Sequence, residues 1–136
     1  MFDIQAFARP DMTQLPPAGF QAGWVRVSDL DETIFYSTAI WLREDYVRHW
    51  RDAAGRLARG DDFAAFCTDL NTDNASILAA FRSADCVLFE HWVIPRSKIT
   101  VEGQCIALVA AAVRSQEGKV STWQVPINAV RDYATR

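Results

Sequence analysis

Between Leu42 and Arg59 the hydrophobic period of the chain changes, and no other feature constrains its fold as tightly. In "LREDYVRHWRDAAGRLAR", Tyr46, Trp50, Ala53, Ala54 and Leu57 recur at spacings of three and four, while Arg48, Arg51, Asp52, Arg56 and Arg59 fill the other side. Side chains so spaced share one face of an α-helix, so the run predicts an amphipathic helix of about five turns. Glu44 and Asp45 stand in its first turn and Arg56 and Arg59 in its last, as the macrodipole favours, and Gly60 is a natural stop. Gly55 inside the run costs about 1 kcal/mol relative to alanine.

On either side the pattern is that of strands. "FQAGWVRVS" places Phe20, Ala22, Trp24 and a following valine at near-alternate positions, and "ETIFYSTAIW" is rich in β-branched and aromatic residues. The "DLD" between them, Asp29 to Asp31, is a turn signal, so the two runs predict a hairpin. "DFAAFCTDL" reads as a buried strand, although its alanines leave a helical extension open. Residues 72–83, "TDNASILAAFRS", are expected to form a short helix capped by Thr72, Asp73 or Asn74. "CVLFEHWVI" and "ITVEGQCIALVAAAV" follow as two long strands split by "PRSK". "QEGK" then marks a turn before "VSTWQV", and Pro126 opens a final helix, "PINAVRDYA".

The order β-β-α-β-(α)-β-β-β-α places the chain in the α+β class. The expectation is a mostly antiparallel sheet of about six strands, with the long helix on one face and short helices including a C-terminal one. Residues 9–19 hold three of the five prolines, so 1–19 reads as a leader segment and 20–136 as a single domain.

With 136 residues, half of them hydrophobic, the chain can bury a core without staples. Its net charge of −3 gives no support to a general affinity for nucleic-acid phosphates. Acid is concentrated in two zones: residues 1–45 carry seven acids against three bases, and 61–90 six against one. Cys67, Cys86 and Cys105 are odd in number, lack CxxC spacing and sit in apolar runs, which reads as buried reduced thiols. With no secretory pattern and no apolar stretch of spanning length, the expected location is the cytoplasm, with no membrane partner.

Few patterns of chemistry are present. The two histidines, His49 and His91, fall in no metal-ligand spacing, so neither a metal site nor a cofactor is expected. A small cysteine-dependent hydrolase or transferase would pair Cys67 or Cys86 with His91 across adjacent strands, but thiols among Ala, Phe, Val and Leu are poor nucleophiles. The carboxylate groups Asp29–Asp31–Glu32, Glu44–Asp45 and Asp61–Asp62 lie in turns or at a helix start, where solvent keeps them ionised. No glycine-rich phosphate loop occurs, and the helix arginines alternate with acids as on a solvated face. A third reading, a homo-oligomeric adaptor, is motivated by the apolar run "CIALVAAAV" at 105–113.

The arrangement of these parts resembles small immunity proteins of bacterial contact-dependent growth inhibition (CDI) systems. Their helix carries a tryptophan, an Asp-Tyr, a second tryptophan, a leucine and a glycine, here Trp41, Asp45, Tyr46, Trp50, Leu57 and Gly60. The likeness covers about residues 20–105. It departs at Leu42, where such proteins place a Ser or Thr suited to capping the helix, and this bears on where the helix starts. The resemblance implies a non-enzymatic function: binding the C-terminal toxin domain delivered by a neighbouring cell, often a nuclease, and blocking its active site or substrate access. A toxin that grips phosphates presents Lys and Arg, which turn carboxylates can meet. The expected toxin-contact acids are Asp29, Asp31, Glu32, Asp61, Asp62, Asp69 and Asp73. Phe35, Tyr36 and Phe89 are candidate anchors where strand alternation turns one outward.

Overall fold

The computed structural model describes residues 1–108 and 121–136. Its class is α+β, and among the described residues every strand pairing is antiparallel. The described strands divide among three sheets rather than one of about six strands. The first sheet joins β1 (Phe2–Gln5), β2 (Phe20–Val27) and β3 (Leu30–Ser37) in that order. The second runs β4 (Phe63–Leu70), β5 (Asn74–Ser83), β6 (Cys86–Pro95) and β9 (Thr122–Pro126). A two-stranded hairpin, β7 (Ile99–Glu102) with β8 (Cys105–Leu108), makes the third. Helix α1 spans Arg43–Ala58 and helix α2 spans Ile127–Ala134.

Three expectations are corrected. Residues 74–83 are strand β5, not a helix. Ala75, Ile77, Leu78, Ala79 and Ala80 are all buried, because β5 is flanked by β4 and β6 and covered on both faces. Such a strand has a continuous apolar run whose alternation is invisible, and its alanines mimic helix propensity. Thr72 and Asp73 belong to the β4–β5 turn and Asn74 opens β5; the Asn71 side-chain oxygen accepts from the N–H groups of Asp73 and Asn74 at 2.9 Å each. The strand from Ile99 does not run on through Cys105. It reverses at Gly103–Gln104, with Gly103 at φ +58°, as a two-residue hairpin loop requires. The rest of that expected strand past Leu108, and the "QEGK" turn, lie outside the described residues.

The third correction concerns the N-terminus. Phe2–Gln5, assigned from sequence to a leader, is strand β1, paired with β2 from Phe2↔Val27 to Gln5↔Trp24. Phe2 and Ile4 are among the most buried side chains. The Phe2 ring stacks on Phe89 at 5.1 Å and meets Phe66 and Tyr133 edge-on at 5.3 and 5.2 Å, so it ties the first sheet to the second and to α2. Four residues were too few for a period-2 signal.

Helix α1 ends in a Schellman turn: Gly60 N–H reaches Leu57 O at 3.1 Å and Asp61 N–H reaches Arg56 O at 3.0 Å, with Gly60 at φ +114°. At its start Leu42 is the N-cap and has no side-chain acceptor. Asp45 supplies one half of a capping box instead, its Oδ2 accepting from Leu42 N–H at 2.9 Å. The departure at Leu42 therefore leaves the start of the helix in place.

If β1 is integral to the core, Phe2→Ala should destabilise the protein by about 3–5 kcal/mol, because the lost ring leaves a cavity where two sheets and a helix meet. Urea unfolding measures this. A loss under about 1 kcal/mol would mean that the fold begins at Phe20.

Candidate functional site

The side chains with the richest chemistry gather along one side of α1, and each is already engaged. Strand β4 stands at the end of its sheet, so alternate N–H and C=O groups along its outer edge lack a neighbouring strand. The N–H and C=O of one residue in an antiparallel strand point to the same side. At Cys67 both point to α1: its N–H donates to His49 Nε2 at 2.8 Å, and its C=O accepts from Trp50 Nε1 at 2.7 Å. Leu70 N–H donates to the Tyr46 hydroxyl at 2.9 Å, which donates in turn to Ser37 O at 2.7 Å. The helix was expected on a sheet face, yet the polar tips of its buried side complete a strand edge.

The other end of this network is the β7–β8 turn. Trp41 Nε1 donates to Gly103 O at 2.7 Å, His49 Nδ1 to Gln104 O at 2.9 Å, and the Gln104 amide to Asp45 Oδ1 at 2.9 Å. These bonds fix the His49 tautomer. Nδ1 faces a carbonyl and must carry the proton, while Nε2 faces an N–H and must accept. His49 is thus a neutral, fully bonded imidazole. Burial, foremost, lowers its pKa from 6.5 to about 4, against the opposing pull of the Gln104 carbonyl. The Gln104 bond, with Leu42 N–H behind it, holds the Asp45 carboxyl below the usual range.

No cysteine–histidine pair forms. Cys67 is fully buried, and burial pushes its thiol far up. Strand register places Cys67, Ile77 and Trp92 in one row and Phe66, Leu78 and His91 in the next, so Cys67 and His91 face opposite sides of the sheet. Cys86 and His91 lie five residues apart on β6, also on opposite faces. Against the expectation of three buried thiols, Cys86 is half-exposed and Cys105 exposed. Among the described residues no group of three or more His, Cys, Asp or Glu could hold a metal, and no helix is long and apolar enough to cross a membrane.

The seven acids do not form one surface. Asp29 is exposed in the β2–β3 turn, Asp31 and Glu32 at the start of β3, Asp61 and Asp62 between α1 and β4, and Asp73 in the β4–β5 turn. The length of β4 separates Asp62 from the β4–β5 turn, about 23 Å at 3.3 Å per residue. Asp69, half-buried, accepts from Ser37 N–H at 2.8 Å and from the Asn71 amide at 3.1 Å, so it joins β4 to the end of β3. Asp31 is engaged by Arg9 and by Arg26 at 3.1 Å, and both guanidinium groups lie over the Trp24 ring, at 4.7 and 5.6 Å. The hydrogen bond from Arg9 is the main cause that holds the Asp31 carboxyl low. Of the candidate anchors, Tyr36 and Phe89 are fully buried and Phe35 is half-buried. Sequence reasoning missed Gly103 and Gln104, since no residue pattern marks a turn carbonyl as an acceptor.

No protein-family profile matches the chain, nor does any curated protein. Among solved structures, a chain of a CdiA-CT/CdiI toxin and immunity complex from Enterobacter cloacae is similar to it. That match has a TM-score of 0.71 at 16% identity, over 99% of this chain and 97% of that one. At this identity the likeness is one of fold.

Two predictions follow from the α1 network. His49 stays neutral in the fold but gains a proton when unfolded, so its contribution is complete above pH 6.5 and is lost as pH falls toward 4. The loss is on the order of 3 kcal/mol, and His49→Gln should flatten stability between pH 6.5 and 4.5, as urea unfolding at several pH values would report. In thiol titration of the native protein, Cys105 should react first and Cys67 only on unfolding. Rapid reaction at Cys67 would contradict its burial.

Proposed function

We propose that this protein is an immunity protein, which binds the toxin domain of a CDI system in the cytoplasm and blocks its active site or substrate access, the toxin being a nuclease. The observation that carries the reading is the fold shared with a chain of a toxin and immunity complex along 99% of this chain. The helix pattern Trp41, Asp45, Tyr46, Trp50, Leu57 and Gly60 supports it independently. So does the state of the buried chemistry: His49 and Cys67, the pair nearest a catalytic arrangement, are consumed by backbone bonding and burial. Inhibition then proceeds by stoichiometric binding, without turnover.

Asp29, Glu32, Asp61, Asp62 and Asp73 are exposed carboxylates suited to steering toward a basic, phosphate-gripping surface. Asp31 and Asp69 act indirectly, by holding Arg9 and the end of β3 in place.

Coexpression with the toxin domain encoded beside this gene should give a one-to-one complex and restore growth. Absence of both would refute the reading. For steering, Asp29→Lys with Glu32→Lys should slow association about tenfold at low ionic strength and only about twofold in high salt. Equal slowing at both would remove electrostatic steering from the account.

A further inference from the structure

Six large apolar side chains are exposed among the described residues: Met1, Phe7, Leu15, Ile40, Leu42 and Val93. Four of these six, Phe7, Leu15, Ile40 and Leu42, stand on segments that meet at Arg43. The Phe7 ring lies 4.4 Å from the Arg43 guanidinium, and Leu42 is its chain neighbour. Leu15 lines, with Arg43, a cleft of about 380 Å³ that also includes Met12, Pro16 and Phe20. Ile40 stands three residues before Arg43, in the loop whose Thr38 N–H bonds Gly19 O at 3.2 Å next to the cleft residue Phe20 in the chain. Scattered apolar side chains need no explanation, but this gathering does.

Arg43 lies at the centre of the gathering. It is half-buried, and its bonds go to neutral acceptors, the Tyr36 hydroxyl at 3.1 Å and Gln21 Oε1 at 2.5 Å. Among the described residues no carboxylate lies within ion-pair distance of it, whereas Arg9 in the same cleft is neutralised by Asp31. It is the first residue of α1, where Glu44 and Asp45 answer the helix dipole but neither pairs with its guanidinium. A half-buried cation ringed by apolar side chains is complementary to an anion carried on an apolar segment.

We propose that this patch anchors the toxin, and that its occupant is a toxin segment presenting an Asp or Glu flanked by apolar side chains. The inference rests on the reading of the protein as an immunity protein. The carboxylate pairs with Arg43 as the cleft loses water, and the rim of Phe7, Leu15, Ile40 and Leu42 covers the flanking side chains. Arginine and aromatic residues at the centre of an apolar patch are what dominates affinity at protein interfaces. The outlying acids govern encounter, and this patch governs retention.

The test uses Leu15 and Leu42, whose side chains are 87% and 61% exposed and can change without touching the core. Toxin binding is measured by calorimetry for the wild type, for Leu15→Asp with Leu42→Asp, and for Leu15→Lys with Leu42→Lys. The aspartate pair should raise Kd at least about tenfold, and the lysine pair should bind at least about threefold more tightly than the aspartate pair, because the occupant is acidic. An unchanged Kd for the aspartate pair, or a lysine pair as weak as it or weaker, overturns the proposal while leaving the immunity reading intact. Sedimentation of the wild type as a dimer that the aspartate pair dissolves, with toxin Kd unchanged, also overturns it, since the patch would then serve self-association. If the wild type itself does not bind the toxin, the immunity reading fails first.

Discussion

A strand edge buried in protein is tolerable only if each of its outward N–H and C=O groups finds a partner, and the fold of this chain depends on how β4 meets that demand. Cys67 and Leu70 are both fully buried on an edge strand. An unbonded amide or carbonyl there costs about 1–3 kcal/mol. At these two residues helix α1 resolves this with Tyr46, His49 and Trp50, each of which joins a ring to polar atoms that reach the strand. Apolar residues at these positions would bury the same area and leave the edge unsatisfied. The same helix, through Asp45 and His49, and Trp41 just before it hold the β7–β8 turn, so all three sheets bond to one stretch of chain.

That arrangement explains why the helix is the most conspicuous stretch of the sequence: the polar tips of its buried side bond the scaffold. A strand edge accepts only certain donors and acceptors at fixed spacing, and Tyr46, His49 and Trp50 at spacings of three and one satisfy it at Cys67 and Leu70. Leu57 fills the core, and Gly60 permits the left-handed turn that closes the helix. The surface proposed for a partner lies off this buried side, on turns, on residues 7–15 and at the helix start.

Sequence pattern made α1, the β2–β3 hairpin, β4, β6 and α2 legible because each has either one buried face or a clear punctuation residue. It concealed β5, where burial on both faces removes alternation, and β1, which is too short to show it. The break at Gly103 was also hidden, since a glycine between two β-rich runs reads equally as a bulge or a turn. Among the candidate contacts, the exposure of Asp29, Glu32, Asp61, Asp62 and Asp73 follows from their turn positions. The capture of Asp31 by Arg9 and of Asp69 by Ser37 depends on long-range packing, which one-dimensional pattern does not carry. The exposed apolar cluster around Arg43 was hidden for the same reason: its members are separated by up to 35 positions, from Phe7 to Leu42.

Amide hydrogen exchange of the free and toxin-bound protein tests this division of labour most directly. The account predicts that the Cys67 and Leu70 amides are protected in the free protein although β4 is an edge strand, and that binding leaves them unchanged. It predicts new protection in residues 13–15 and 38–43. Fast exchange at Cys67 and Leu70 in the free protein, or new protection confined to residues 46–57, would contradict it.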